Sequence, residues 1–384
     1  MKTKTKRVLG QPSWPVNSNT VEAYVTQIGG HLGPVAFCRH SRRIQPYSVA
    51  PWAEERTDPA LPPILKALRG DFFCMPFGGN SRPFGGERHP IHGEPANARW
   101  KFESLDAAAG KTCLRLSLAT KVRPGLVEKQ ITVVDGHPAV YCRHVVSGMS
   151  GPMCLGHHAM LKFPERTGSG FISTSPFAYG QVFVQPTERP ENRGYSLLKP
   201  GAEFASLANV PTITGDTADL TQYPARRGFE DIVMIVSQPD VPLAWTAVTF
   251  PREGYAWFAL KDPAVLRHTV FWISNGGRHY APWNGRHVNV MGLEEVTAYF
   301  HLGLAESARP NPLSAKGFQT CVQLSPKHPL AVNYIMALAN LPAGFDRVAA
   351  ITANATNDAV TLTSASGKTV TLPLDAGFLH WERR

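Results

Sequence analysis

The chain has 384 residues, of which 43% are hydrophobic and only 18% charged, which excludes a disordered or coiled-coil protein and allows a large core. Its 33 Gly and 33 Pro suit strands joined by many turns better than long helices. The net charge of +10 is scattered apart from the run Lys2 to Arg7, so the basic face or module that nucleic-acid binding requires is not expected.

In chain order, the strand candidates are Val21 to Gln27, Pro34 to Cys38, Leu114 to Leu118, Val127 to Val134, Ala139 to Val146, Trp245 to Phe250, Tyr255 to Leu260, Thr269 to Ser274 and Phe318 to Leu324. Gly, Pro, Asp and Asn punctuate them. Val360 and Leu362 lead through Ser366-Gly367 to Val370 and Leu372, which reads as a hairpin. Helical signals are few. Pro62 to Leu68 suits one or two turns. Pro329 to Leu341, with Ala331, Ile335 and Leu338 at three- to four-residue spacing, predicts a helix. Val296 to Leu304 fits either a helix or a strand. The pattern predicts a basic N-terminal extension over 1–20 and a single, mainly β domain over 21–384, built as a large antiparallel β-sandwich.

The six cysteines stand singly, with no C-x-x-C pair, which suits reduced thiols in a cytoplasmic protein. The longest aliphatic run, Ile232 to Val236, is far too short to span a bilayer, so no membrane partner is expected. No pattern marks an oligomeric state.

Three segments carry chemistry. Phe77 to Glu94 is rich in Gly and polar residues and reads as a long surface loop, of the kind that often binds ligands. In it Arg82 can fork onto hydroxyl or anionic oxygens, and His92 beside Gly93 can approach a ligand closely. His89, His92 and Glu94 lack the regular spacing of a metal motif, so no metal is expected. His157 and His158 open an apolar stretch. Adjacent strand residues point to opposite faces, so only one of the two can enter a given cleft. Gly292-Leu293-Glu294-Glu295 ends an apolar run, just after a loop containing Arg278, Trp283 and Arg286. Trp283 suits a platform under a sugar ring, and the two arginines suit substrate contacts.

Together these segments resemble the aldose 1-epimerase (galactose mutarotase-like) family. Gly29-Gly30-His31-Leu32-Gly33 looks like its N-terminal signature, and Asn80-Ser81-Arg82 with His92-Gly93 is similar to its Asn-Arg and His-Gly elements. His158-Ala-Met-Leu161 resembles its second histidine motif, and Gly292-Leu293-Glu294 the glutamate site of its divergent branches. The full Asn-Arg-Ile and His-x-Tyr-Phe-Asn patterns are absent, so a standard galactose mutarotase is not expected. The resemblance implies a β-supersandwich that interconverts sugar anomers by acid/base ring opening and closure. By that motif match Glu294 would be the base and His158 the acid, with His92 and Arg82 orienting the sugar. Glu295, on the opposite strand face, would be structural. His157 is retained as a substrate-binding alternative to its neighbour. No metal or organic cofactor is implied. The expected partner is a small carbohydrate, and the charge excess favours an anionic one, although scattered surface Lys and Arg account for it equally well. The competing reading is a non-catalytic carbohydrate-binding protein on the same fold.

Overall fold

The computed structural model describes residues 5–383, with side chains to His380; Lys2 and Lys4 of the basic run lie outside them. Two large antiparallel sheets face each other. The nine-stranded sheet runs in the order Gln222–Tyr223, Gly170–Thr174, Ala244–Phe250, Tyr255–Lys261, Leu330–Asn340, Ala139–Ser147, Gly125–Val134, Lys111–Thr120 and Lys101–Ala108. The eight-stranded sheet runs Glu203–Phe204, Phe177–Val182, Phe229–Ser237, His268–Asn275, Val290–Thr297, Leu155–His157 and Phe73–Cys74, with Ala159–Lys162 also paired to Val290–Thr297. The main core lies between them and includes Trp257, Leu338, Leu293 and Phe271, each no more than 1% exposed. This is the mainly β sandwich expected from the period-two pattern. All six cysteines are free. No helix among the described residues is long and apolar enough to cross a membrane.

Two expectations need correction. Pro329 to Leu341 is not a helix: Leu330–Asn340 is an eleven-residue strand paired with Tyr255–Lys261 and Ala139–Ser147. Its even-numbered residues Val332, Tyr334, Met336 and Leu338 enter the main core. Its odd-numbered Ile335, Ala337 and Ala339 join a second core, where the sheet Val348–Ala353, Ala359–Ser364 and Thr369–Pro373 covers the outer face of the nine-stranded sheet. A strand that is apolar on both faces shows no alternation, and a chance three- to four-residue spacing then reads as a helix. The expected hairpin near the C-terminus is present within that covering sheet.

The second correction concerns residues 1–20. Lys6–Val8 and Gln11–Asn17 are strands of a four-stranded sheet completed by Val21–Thr26 and Leu32–Phe37. Trp14 and Val16 are buried at 2% and 0% exposure, so this segment packs into the core instead of extending away from it. Pro12 and Pro15 hide the alternation. The short helix Pro63–Ala67 falls where expected.

Ile335→Ala should lower unfolding free energy by roughly 2–5 kcal/mol, because it empties a packed site between the nine-stranded sheet and its C-terminal cover. Denaturant titration checks this. A change below about 0.5 kcal/mol would place the side chain at the surface.

Candidate functional site

Strand geometry separates the acid pair. Glu295 points between the sheets, where it meets the Lys261 ammonium and accepts hydrogen bonds from Thr246 Oγ1 at 2.6 Å and Thr269 Oγ1 at 2.7 Å. Glu294 points to the other face with no exposed surface. On that face Gly292 pairs with Trp272, and Trp272 with Ile232; the last two line a cavity of about 390 Å³. A Cβ at residue 292 would sit 2.5 Å from Glu294 Oε1, so glycine is what lets the carboxylate fold against its own strand. This gives the Gly-Leu-Glu spacing a physical reason.

Three imidazoles gather around Glu294. His158 Nε2 lies 3.1 Å from Oε1, a close approach that is not aligned as a hydrogen bond. His301 Nε2 is hydrogen-bonded to Oε2. The rings of His158 and His301 are nearly parallel, with centroids 5.9 Å apart, and His92 stands edge-on to both at 5.0 and 5.7 Å. Phe72 stacks on His158 at 4.6 Å and Phe77 on His301 at 5.0 Å. All three histidines line the cavity, whereas the fully buried Glu294 lies behind them.

Burial sets the electrostatics. It pushes the Glu294 carboxyl well above the ordinary carboxylate range, and Arg278 only partly opposes this. Burial also holds His92 and His158 well below the usual imidazole value, and it takes His301, with help from Arg278, down to about 3. Neutral imidazoles around a protonatable carboxyl are therefore favoured over separated charges.

Local backbone fixes this arrangement. His92 has φ 57° and its Nδ1 accepts the Gly78 N–H at 3.3 Å. The His301 carbonyl accepts the Gly79 N–H at 2.7 Å. Asn80 ties the two loops together: its amide donates to the carbonyls of Gly78 and Pro90, and its Oδ1 accepts the Leu304 N–H at 3.0 Å. A residue of the suspected binding loop thus acts as a structural clasp.

The three histidine nitrogens lie within 4.8 Å of one another, a donor set of the kind that can hold zinc. The tautomer of His92 argues against it. Because Nδ1 accepts a backbone N–H, the ring proton of neutral His92 sits on Nε2, whereas a ligating histidine donates from its second nitrogen. The arrangement suits hydrogen bonding and proton transfer.

The structure thus brings Glu294, His158 and His92 together at one cavity, with Arg278 and Trp283 on its wall. Other expected contacts fall elsewhere. His157 faces the intersheet core, with no exposed surface and Nδ1 2.8 Å from Asp71 Oδ2, because it alternates with His158. Arg82 is 71% exposed and lies 3.6 Å from Glu306, away from the cavity lining. Arg286 pairs with Glu55, its Nη2 3.0 Å from Oε2, also off the lining. Trp283 carries the Arg278 guanidinium 4.8 Å over its ring, so that face is already taken. Sequence reasoning missed His301 and Glu230. His301 follows the strand in a segment readable as helix or strand, and a lone histidine there has no spacing signal. Glu230 is fully buried and accepts hydrogen bonds from Ser274 Oγ and the Gly277 N–H, both at 3.1 Å.

No protein-family model and no curated protein matches the chain. Solved structures do. A galactose mutarotase-like protein from Clostridium acetobutylicum superposes with a TM-score of 0.58 at 10% identity, over 88% of this chain and 98% of that one. A galactose mutarotase related enzyme from Lactobacillus acidophilus gives 0.53 at 12% identity, over 86% and 99%. An aldose epimerase homologue from C. elegans gives 0.53 at 11% identity, over 86% and 100%. The chain has the galactose mutarotase-like fold. At these identities the likeness shows the fold alone; within this galactose mutarotase-like sandwich, the histidine cluster must carry any argument about chemistry.

A pH dependence of stability follows from the acids near this cavity. Burial raises Glu230 from 4.5 to about 7 and Asp231 from 3.8 to about 6. Between the unfolded and folded values the folded state binds more protons, so stability present at low pH is lost as pH rises through about 7. The melting temperature of Glu230→Gln relative to that of the unaltered protein should therefore rise from pH 5 to pH 8, because the buried histidines, whose lowered values act in the opposite direction, are common to both proteins. Equal slopes in the two proteins would contradict the assignment.

Proposed function

We propose that the protein is an aldose 1-epimerase-like isomerase that interconverts the anomers of a sugar. The observation that carries this reading is the buried carboxylate of Glu294 with one oxygen against His158 and the other against His301, behind a cavity that both imidazoles line. Anomer interconversion needs one proton removed from the anomeric hydroxyl and one delivered to the ring oxygen. The ring then opens, the aldehyde turns about the C1–C2 bond, and closure on the other face reverses the transfers.

One shared proton is enough for this cycle. Glu294 is the acceptor. Because it does not reach the cavity wall, His301 is the relay: its ring takes the hydroxyl proton as its Nε2 proton passes to Glu294 Oε2. His158 in its protonated form is the donor to the ring oxygen. Ring closure runs the transfers backwards: Glu294 returns its proton through His301 to the aldehyde oxygen, and His158, 3.1 Å from Glu294, takes back the proton of the C5 hydroxyl. His92, with its proton on Nε2, holds a sugar oxygen by hydrogen bonding. Burial favours this sharing, because it brings the neutral acid–imidazole pair close in energy to the charged pair.

Polarimetry on freshly dissolved α-anomers of a sugar panel should show accelerated equilibration. Glu294→Gln should slow it by about 10²-fold or more, and His301→Ala should slow kcat comparably with little change in KM. Unchanged rates in Glu294→Gln would remove the assigned acceptor. Saturable sugar binding without acceleration in the wild-type protein would favour the non-catalytic alternative.

The rate should also be bell-shaped in pH. Activity requires the singly protonated set, so it falls on the acid side below the usual imidazole value and on the alkaline side above the usual carboxylate value, following the shifts of His158 and Glu294. A flat profile would mean that a group other than this pair limits turnover.

A further inference from the structure

The walls of the cavity differ in character from its histidine floor. Ile64, Leu65 and Leu68 of the short helix segment, with Ile91, Phe183 and Ile232, form apolar walls, while Gln185, Thr187 and Tyr280 add polar groups elsewhere in the lining. Ile91 remains 37% exposed and Leu65 is partly buried, so these surfaces face into the opening. A sugar bearing only hydroxyls would leave several of its polar groups against side chains that offer no hydrogen bond, which is costly.

The positive charge at the cavity already has acids beside it. Among the described residues, Arg278 is the one arginine or lysine lining it. Its Nε lies 3.5 Å from Glu188 Oε1 and 3.6 Å from Glu230 Oε2, and its guanidinium stands 5.0 Å over Trp272 and 4.8 Å over Trp283. The Tyr280 hydroxyl donates to Glu188 Oε1 at 3.3 Å. A phosphate or carboxylate brought to Arg278 would meet the Glu188 carboxylate and the Glu230 carboxyl already there, and a like charge at this range repels it. The overall charge of +10 is therefore not focused into this cavity.

We propose that the cavity selects an uncharged pyranose in which an apolar group replaces a hydroxyl, the class of deoxy and O-methyl sugars, over sugar phosphates and uronic acids. This selectivity rests on the cavity being a sugar site. The apolar walls receive the methyl group, and the histidine floor receives the anomeric hydroxyl and ring oxygen. Arg278, flanked by Glu188, Glu230 and two indoles, forms part of the wall.

Direct binding tests the selectivity separately from turnover. The probes are two series that vary only at C6: D-galactose, D-fucose, galactose 6-phosphate and galacturonate, and the matching glucose set. Calorimetry should give D-fucose or its gluco counterpart about tenfold tighter binding than the parent hexose, as expected for an apolar group in an apolar pocket. The phosphate and uronate should bind at least tenfold more weakly than the parent. Leu65→Gln, at a partly exposed position, should erase the deoxy preference while binding of the parent sugar persists. Tighter binding of the phosphate or uronate, or no preference for the deoxy sugar, overturns the proposal. Binding in the expected order without anomer interconversion supports the selectivity and removes the isomerase reading. Binding of no member of either series overturns both.

Discussion

A carboxylate with no access to water has to be matched by its surroundings, and the site depends on how Glu294 is matched. Among the described residues no lysine or arginine pairs with it; two imidazoles contact it, one at each oxygen. A guanidinium in their place would lock the carboxylate in its charged form. Imidazoles held below their ordinary pKa leave the proton movable, which suits the acid/base role proposed for the site. Around this contact the sheet supplies Gly292, whose missing side chain makes room for the carboxylate. The loops supply stacked aromatics on His158 and His301.

The same strand separates stability from chemistry by alternation. Glu295 is committed to Lys261, Thr246 and Thr269 between the sheets, while Glu294, one residue earlier, lies on the other face behind the cavity's histidines. His157 and His158 repeat the division on the neighbouring segment, with His157 held by Asp71 in the interior. A one-residue slip of either strand would exchange the groups and put the structural members into the cavity, so register is as important here as side-chain identity. Asn80 extends that control to the loops by joining the His92 and His301 segments.

Much of this was legible in the sequence. Alternating residues marked many strands of the sandwich, and period-two logic put Glu294 and Glu295 on opposite faces and left only one of His157 and His158 for the cleft, while the family resemblance singled out Glu294 and His158. Residues buried on both faces were less legible: Leu330–Asn340 loses its alternation because a second sheet covers its outer face. His301 and Glu230 were hidden because each enters the site through pairing between distant strands and loops, with no local spacing to mark it. Arg82 and Arg286 misled for the converse reason. A loop rich in polar residues says that the loop is exposed, not which way an arginine on it points.

In the proposed reaction protons move between oxygens through Glu294 and its histidines, with no carbon acid involved. Proton exchange NMR of a bound-range sugar in D2O tests this most directly. The account predicts protein-dependent exchange between the α and β anomeric signals, with every carbon-bound proton retained. Absence of enhanced exchange across the sugar panel, or deuterium appearing at carbon, would contradict it.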